Sequence, residues 1–587
     1  MKHLSRIPWI ALCTLSPVEA QLTQTWHTSA PIGRVGFAAL ADDAALHVAG
    51  ATVASPGPGD DPLVARIAPD GTLAWTQTIQ GGVRVTAFGV EPTGQRVWTA
   101  FLPDGPGEDV QMACTSVAGV PLWVSARFDL GPQDRLGGRR VAFDPAGNGY
   151  VVGETWTPAA PGILDVLLVS WDPSGALRFG VAIDGGAGLN DRGYDCLCDA
   201  QGNVYVTGLG DTVFPSNGHL LVLKADTNGQ VLWRRTFDGS QPGGVGHALA
   251  LDGAGNVHVA GQGALGEYLV IKLDAAGNTL WTDVQPGADA GSLAALAIDA
   301  AGRAYLAGAQ GAGVPGSADA LLLAYDVDGQ RRWSRTWNSP YGLSDLGRGV
   351  SIGPAGAIEL AVDCETATGA YAPACLRYDD DGTLRDAVVL APPNGNHALL
   401  ARSTRTGELR VVTTEPGATT ADGVVHAYAL RDTWTLGCAG DGPASPCPCS
   451  GALAVAHGCP NSVFAGGALL RATGSPSVGG DTFRLVAEGL TGTFCTFFQG
   501  TAELPLAIVD DGIGCVGGTV VRLGTKAIGA NASAFPGPGD PSISVRGGLS
   551  AAGGPRYYQA FYRNSVLAFC PPATSNRTSS VAVQWGP

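Results

Sequence analysis

Cys198-Asp-Ala-Gln-Gly-Asn-Val-Tyr-Val-Thr-Gly208 is a strand end, a D-x-x-G turn and an alternating strand closed by glycine. Aspartate suits such a turn because its carboxylate bonds the backbone just ahead of it, and glycine because it accepts positive φ. The same phrase returns in register as Phe143-Asp-Pro-Ala-Gly-Asn-Gly-Tyr-Val-Val-Gly153, Leu251-Asp-Gly-Ala-Gly-Asn-Val-His-Val-Ala-Gly261 and Ile298-Asp-Ala-Ala-Gly-Arg-Ala-Tyr-Leu-Ala-Gly308. Each copy is a β-hairpin signal.

A second hairpin follows each first one. Leu221-Val-Leu-Lys-Ala-Asp-Thr-Asn-Gly-Gln-Val-Leu-Trp233 and Val270-Ile-Lys-Leu-Asp-Ala-Ala-Gly-Asn-Thr-Leu-Trp281 are examples, and residues 321–333 repeat the pattern. An aromatic stands four residues after the turn glycine: Trp75, Trp123, Phe179, Trp233, Trp281 and Trp333. Asp386 takes that place in the seventh unit. A large ring in the same place of every unit reads as packing between neighbouring units.

One unit is therefore four strands. First strands are expected near Val35, Val83, Arg139, Gly193, Gly246, Leu293, Arg348 and Asn396, a spacing that suits the blades of a β-propeller. Eight blades are expected, with seven as the alternative. Leu22 to His27 reads as a detached strand able to complete the last blade and close the ring, which would protect an edge.

These paired hairpins resemble the bacterial β-propeller repeats often called SBBP repeats, over residues 35–390. The resemblance implies a propeller in an extracellular setting and no particular activity, since propellers serve many uses.

Composition agrees with an all-β chain. Of 587 residues, 86 are Gly and 39 Pro, poor material for helix interiors. A hydrophobic share of 45% can fill a core. The formal charge of −16 repels phosphate backbones, so no nucleic-acid partner is expected.

Lys2, His3 and Arg6 followed by the apolar run 7–15 and Val18-Glu-Ala20 read as a signal peptide over 1–20. No later stretch is long enough to be a membrane helix, so the chain is expected to be secreted or on the cell surface, with no transmembrane segment. Residues 21–436 would form the propeller and 437–587 a small cysteine-rich β domain.

Seven of the 13 cysteines follow residue 437. Strands are expected over 468–472, 482–487, 496–499, 520–524, 542–546, 556–562 and 581–585, which suggests a β-sandwich. The stretch resembles a C-terminal domain of large secreted planctomycete-type proteins through Cys438 with Gly440-Asp-Gly442, Cys447-Pro-Cys449, Gly458-Cys-Pro-Asn-Ser462, Phe498-Gln-Gly500, Val521-Arg-Leu-Gly-Thr-Lys526 and Arg556-Tyr-Tyr-Gln-Ala-Phe-Tyr-Arg-Asn564 with Phe569-Cys570. That resemblance implies an export, sorting or surface-attachment role. Cys438, Cys447, Cys449, Cys459, Cys515 and Cys570 fit it and could form three bridges, whose pairing the sequence leaves open. Cys495 is the extra, either a thiol or bridged to a propeller cysteine. Cys364 and Cys375 flank one loop and are candidates for a local bridge.

No H-E-x-x-H, G-x-S-x-G or phosphate-loop motif is present. Gly261-Gln-Gly-Ala-Leu-Gly266 and Gly311-Ala-Gly-Val-Pro-Gly316 match a dinucleotide fingerprint but open no helix. The turn-plus-Trp pattern is similar to that of quinone-dependent propeller dehydrogenases, yet the Asp-to-Gly distance is one residue shorter. Asp379-Asp-Asp-Gly382 and Asp326-Val-Asp-Gly329 read as turns and not as calcium loops.

No cofactor, metal or catalytic residue is assigned. The expected function is noncatalytic extracellular binding or scaffolding, with a polysaccharide or another cell-envelope component as partner. The alternative is an exported polysaccharide hydrolase or lyase whose site is assembled from several blades, with Asp191, Arg192, Asp195, Asp345 and Arg348 as its candidates.

Overall fold

The structure, a computed structural model, describes residues 23–586 apart from 32–33, 41–44, 52–60, 71, 104–108, 131–133, 136–139, 157–162, 186–187, 213–217, 286–294, 312–317, 354–355, 390–396, 404–407, 415–423, 432–433, 440–446, 449–456, 474–475, 480, 565, 567–568 and 570–573. The expected signal peptide lies outside the described residues, as do Cys449 and Cys570.

Each hairpin forms because its turn is chemically specified. At Asp199 the carboxylate accepts the N–H groups of Gln201 at 3.0 Å and Asn203 at 2.8 Å. Gly202 donates to the Asp199 carbonyl and takes φ +83°, which only glycine adopts cheaply. The result is a type I turn closed by a left-handed residue, a standard three-residue hairpin connection.

Consecutive hairpins assemble into eight antiparallel sheets with the geometry of propeller blades. Blade 4 shows the plan: Asn190–Cys198, Val204–Thr212, His219–Ala225 and Val231–Phe237, paired in that order. Blade 3 differs in that its first strand is split into Asp134–Arg135 and Ala142–Phe143. First strands of successive blades lie against one another, so they line the ring's axis. Fourth strands form the rim, and Val231–Phe237 is largely exposed whereas His219–Ala225 is buried.

Blade 8 is completed from the other end of the chain. Thr23–Pro31 pairs antiparallel with Val424–Arg431, outside Glu408–Thr414 and His397–Ser403. Blade 8 in turn lies beside blades 1 and 7, so the ring is closed.

Because Thr23–Pro31 occupies the fourth place of blade 8, the chain leaving Arg431 has no propeller edge to join. Trp434–Leu436, expected within the propeller, instead pairs with Val581–Val583. It thereby enters a six-stranded sheet with Val581–Trp585, Gly554–Arg563, Phe494–Gly500, Val521–Ala527 and Ser575–Arg577. A three-stranded sheet of Leu469–Thr473, Arg484–Glu488 and Ala532–Phe535 encloses with it a core that includes Leu470, Leu485, Phe497, Phe535, Tyr558 and Trp585. A further hairpin, Ala502–Val509 with Gly512–Gly517, was not expected from sequence.

Residues 542–546 correct the expectation of a strand. Ile543–Arg546 is a single helical turn, with Arg546 N–H bonded to Ser542 O at 2.9 Å. The alternation of Ile543 and Val545 misleads, since Ile543 enters the core while Val545 is 72% exposed.

Candidate functional site

The charged departures from the repeat were the sequence's best indication of a site, and all of them stand on the inner strands. Asp191 and Asp345 occupy matching places in blades 4 and 7. Asp191 accepts N–H bonds from Gly185 at 2.6 Å and Asp211 at 2.7 Å, and Asp345 accepts one from Ser339 at 2.6 Å. In both cases the donor lies six residues earlier, in the loop arriving from the preceding rim strand. Both carboxyls are fully buried. Burial pushes Asp191 up to about 6, opposed by its two N–H bonds. Burial likewise raises Asp345, which lies opposite Cys364 across the sheet.

The other three are ion-paired. Asp195 takes a fork from Arg140, Nε to Oδ1 at 3.0 Å and Nη2 to Oδ2 at 2.5 Å. Arg140 also donates to Leu249 O at 3.2 Å, and Leu249 N–H donates to Asp195 Oδ2 at 2.9 Å. Since Arg140, in the split first strand of blade 3, is bridged through its backbone to Phe88, this cluster ties blades 2, 3, 4 and 5 together. Arg192 pairs with Glu154 of blade 3 at 2.8 Å, and Arg348 with Asp363 of its own blade at 2.7 Å. Tyr194 and His247 stack between blades 4 and 5, centroids 6.4 Å apart. No hydrogen bond or ion pair joins the blade 4 set to the blade 7 set among the described residues. Asp191, Asp195 and Asp345 thus hold loops and blades in place.

The rim aromatics pack each blade onto the next. The indole N–H of Trp75 donates to Val117 O at 2.8 Å, Trp123 to Pro173 O at 3.0 Å, Trp233 to Ala275 O at 3.1 Å, Trp281 to Val327 O at 3.2 Å and Trp333 to Asp380 O at 2.8 Å. Each acceptor lies two residues before the turn glycine of the following blade. The ring itself lies on that glycine: a Cβ on Gly277 would stand 2.7 Å from Trp233 Cδ2. Phe179 holds the same place against Gly229. Position Asp386 lacks an aromatic because blade 8 has no outer hairpin to receive one: its rim strand comes from the N-terminus.

The acid-rich turns find their partners within the propeller. Asp326 accepts from Asp328 N–H and Gln330 N–H. Asp380 accepts from Arg303, Arg332 and Tyr305. Although burial opposes it, the two guanidiniums hold the Asp380 carboxyl well below the usual range. Among the described residues no cluster of His, Cys, Asp or Glu is arranged to hold a metal ion.

Cysteine pairing is partly resolved. Cys438 bridges Cys515 and Cys447 bridges Cys459. The bridge expected between Cys364 and Cys375 is not formed. Cys364 pairs in register with Ala372, and Cys375 with Ala361. An odd offset puts the two sulfurs on opposite faces of the sheet, and Cys364 faces the core shared with blade 6. Cys495 is a buried thiol in the C-terminal core, pushed up to about 12 by burial.

Sequence reasoning missed Arg140 and Arg178. Arg178, beside the single phenylalanine among the blade aromatics, was marked by that substitution; Arg140 carried no local signal.

No family model matches the chain, and no curated protein matches it in sequence. Among solved structures it is similar to the Dos1 propeller, at 11% identity over 71% of this chain and 97% of that one, TM-score 0.45. It is also similar to Sqt1 from Chaetomium thermophilum, at 13% over 68% and 97%, TM-score 0.45. A periplasmic gluconolactonase from Pseudomonas aeruginosa matches at 13% over 59% and 99%, TM-score 0.37.

Proposed function

We propose that this chain is an exported, noncatalytic binding or scaffold protein. Its propeller, from Thr23–Pro31 through Val424–Arg431, is the rigid scaffold, and its cysteine-rich unit, which begins with Trp434–Leu436, serves sorting or surface attachment. The observation that carries this reading is the fate of the inner-strand charges: Asp191, Arg192, Asp195, Asp345 and Arg348 each have an internal partner and a structural task. Catalytic acids need reach to a substrate, and these are committed elsewhere.

Export is supported by the two disulfides, which fit an oxidising compartment. Among the described residues no helix is long and apolar enough to cross a membrane. The likeness to SBBP repeats and to the planctomycete-type C-terminal domain, on the residues given above, agrees with an extracellular scaffold.

A thermal-shift screen of residues 21–587 against bacterial and algal polysaccharides tests the reading. A ligand at 100 times its Kd adds about 2.7 kcal/mol of stability. A saturable shift without release of reducing ends supports binding. Release of reducing or unsaturated ends overturns it in favour of the hydrolase or lyase alternative.

A further inference from the structure

The outer face of the six-stranded sheet carries an open groove of about 600 Å³. Its floor follows from strand alternation. In Phe494–Gly500, Cys495 and Phe497 face the core, so Thr496 and Phe498 face outward. Phe561 lies opposite Thr496 on the next strand. Val516 and Val520, at the end of the hairpin that covers the rest of this face, form one wall.

Both ends of the floor are cationic. Arg522 stands opposite Phe498 on one side, and Arg577 opposite Phe561 on the other. The Arg577 guanidinium lies over the Phe498 ring, 5.3 Å from its centroid, and its buried Nε has no hydrogen-bond partner. Among the described residues, Arg522 donates only to Thr525 Oγ1, and Arg563, over Phe561 at 5.9 Å, donates to Thr574 Oγ1 and to no carboxylate. Asp510, the acid that acts on Arg577, accepts instead from Ser575 Oγ. In a chain with 51 acidic and 35 basic residues, three guanidiniums without a carboxylate partner around two phenylalanine rings are a marked local reversal of charge.

We infer that this groove binds an acidic polysaccharide, a sugar chain bearing carboxylates. The Arg577 guanidinium reaches over Phe498, whose neighbour on the adjoining strand is Arg522, and Arg563 lies over Phe561 on the other floor strand, so the cations run across the floor. A polymer with repeated carboxylates can meet such a row. Guanidinium is the side chain suited to bidentate carboxylate recognition. The apolar wall of Val516 and Val520 suits the C–H face of a sugar ring. An extended acidic peptide would instead add to Val521–Ala527, the terminal strand of the sheet, so stronger retardation by polyglutamate than by polygalacturonate also overturns the inference. The inference rests on the binding reading above and supplies its ligand class.

The test is affinity electrophoresis of the full mature chain through gels containing polygalacturonate, polyglutamate, dextran sulfate or neutral dextran. Arg522→Gln, Arg577→Gln, Phe498→Leu and, as a charge-matched control on the other sheet, Arg484→Gln are run beside it, each first checked by thermal melt. Retardation by polygalacturonate is expected and none by dextran. Affinity should fall about tenfold for each groove arginine, the effect of one charged contact, and be unchanged in Arg484→Gln. The inference is overturned if polygalacturonate does not retard the protein, if dextran sulfate alone does, or if Arg484→Gln weakens binding as much as Arg577→Gln. It is also overturned if the groove variants change only self-association in sedimentation, which would make the face a contact between copies. Binding of neutral dextran, indifferent to the arginines, overturns the groove but leaves the binding reading standing. Release of new chain ends from polygalacturonate, with the arginine dependence intact, overturns the noncatalytic reading and leaves the groove.

Discussion

Arg178 donates through Nη2 to the carbonyl of Thr227 at 2.8 Å. Thr227 stands two residues before Gly229, the place whose carbonyl takes an indole N–H wherever the preceding blade carries tryptophan. Phe179 has no N–H to give. The neighbouring arginine supplies it, lies over the Phe179 ring at 5.7 Å, and also reaches Tyr150 Oη and Ser170 Oγ.

Arg178→Ala should therefore destabilise the protein by about 1–3 kcal/mol, because it strips a charged donor from a buried seam. Phe179→Trp in the Arg178→Ala background should recover part of that loss by restoring an indole donor. A double-mutant cycle by denaturant unfolding measures the coupling. Strict additivity of the two changes would show that the two donors do not share the acceptor.

Gly277→Ala should cost more than an ordinary surface change. Gly277 holds φ +80°, and its new methyl would stand 2.7 Å from Trp233 Cδ2. Backbone strain and a clash add, so a loss of about 2–4 kcal/mol is expected. Gly253→Ala, with nothing within 4 Å and no positive φ, should be nearly neutral. Comparing the two melts isolates the rim seam from general glycine effects.

Asp191 gives stability a pH dependence of definite sign. Its carboxyl is pushed from 3.8 to about 6 on folding, first by burial. The folded chain holds this proton more tightly than the unfolded one. The contribution is complete below about pH 4 and is lost as the pH rises through about 6, amounting to about 3 kcal/mol over two units. In Asp191→Asn the fall of stability between these values should flatten. An unchanged slope in urea titrations across that range would place the titration elsewhere.

Removing residues 23–31 should open the ring. The strand Val424–Arg431 would lose its outer partner and present a bare edge, which invites pairing with another copy. Size-exclusion chromatography should show oligomers, and the thermal transition should fall and broaden.

Reduction of the disulfides should act on one part of the molecule. Cys438 and Cys515 are 77 residues apart, and a crosslink of that span stabilises by about 4 kcal/mol in the chain-entropy view. Reductant should lower the melting of the C-terminal sheets and leave the propeller transition in place. Calorimetry with and without reductant reads both.

The repeat was legible because its signals are local. A D-x-x-G turn fixes its own hairpin through bonds spanning four residues, as at Asp199, and repetition of that turn specifies the blades. Ring closure by the N-terminal strand was legible for the same reason: a strand with no hairpin partner needs an edge. One aromatic escaped that reading. Trp26 pairs with Ala429 just past a bulge, the register place that Trp233 holds opposite Lys224, so the detached strand also continues the aromatic series.

What the sequence could not decide depends on contacts between residues far apart in the chain. Asp195 looks like a candidate acid until Arg140, 55 residues away, is placed beside it. Cys364 and Cys375 look like partners until strand register turns them to opposite faces. Residues 542–546 alternate like a strand, and only the neighbouring Asp481 carboxylate, which accepts from Ser544 N–H at 2.6 Å, and the Leu523 carbonyl, which takes Arg546 Nε, show the turn that packs there. Turn chemistry acts within a few residues and is written in the chain. Charge pairing, thiol facing and the arginine-lined groove arise only when folding sets distant strands side by side, so the tertiary structure alone decided them.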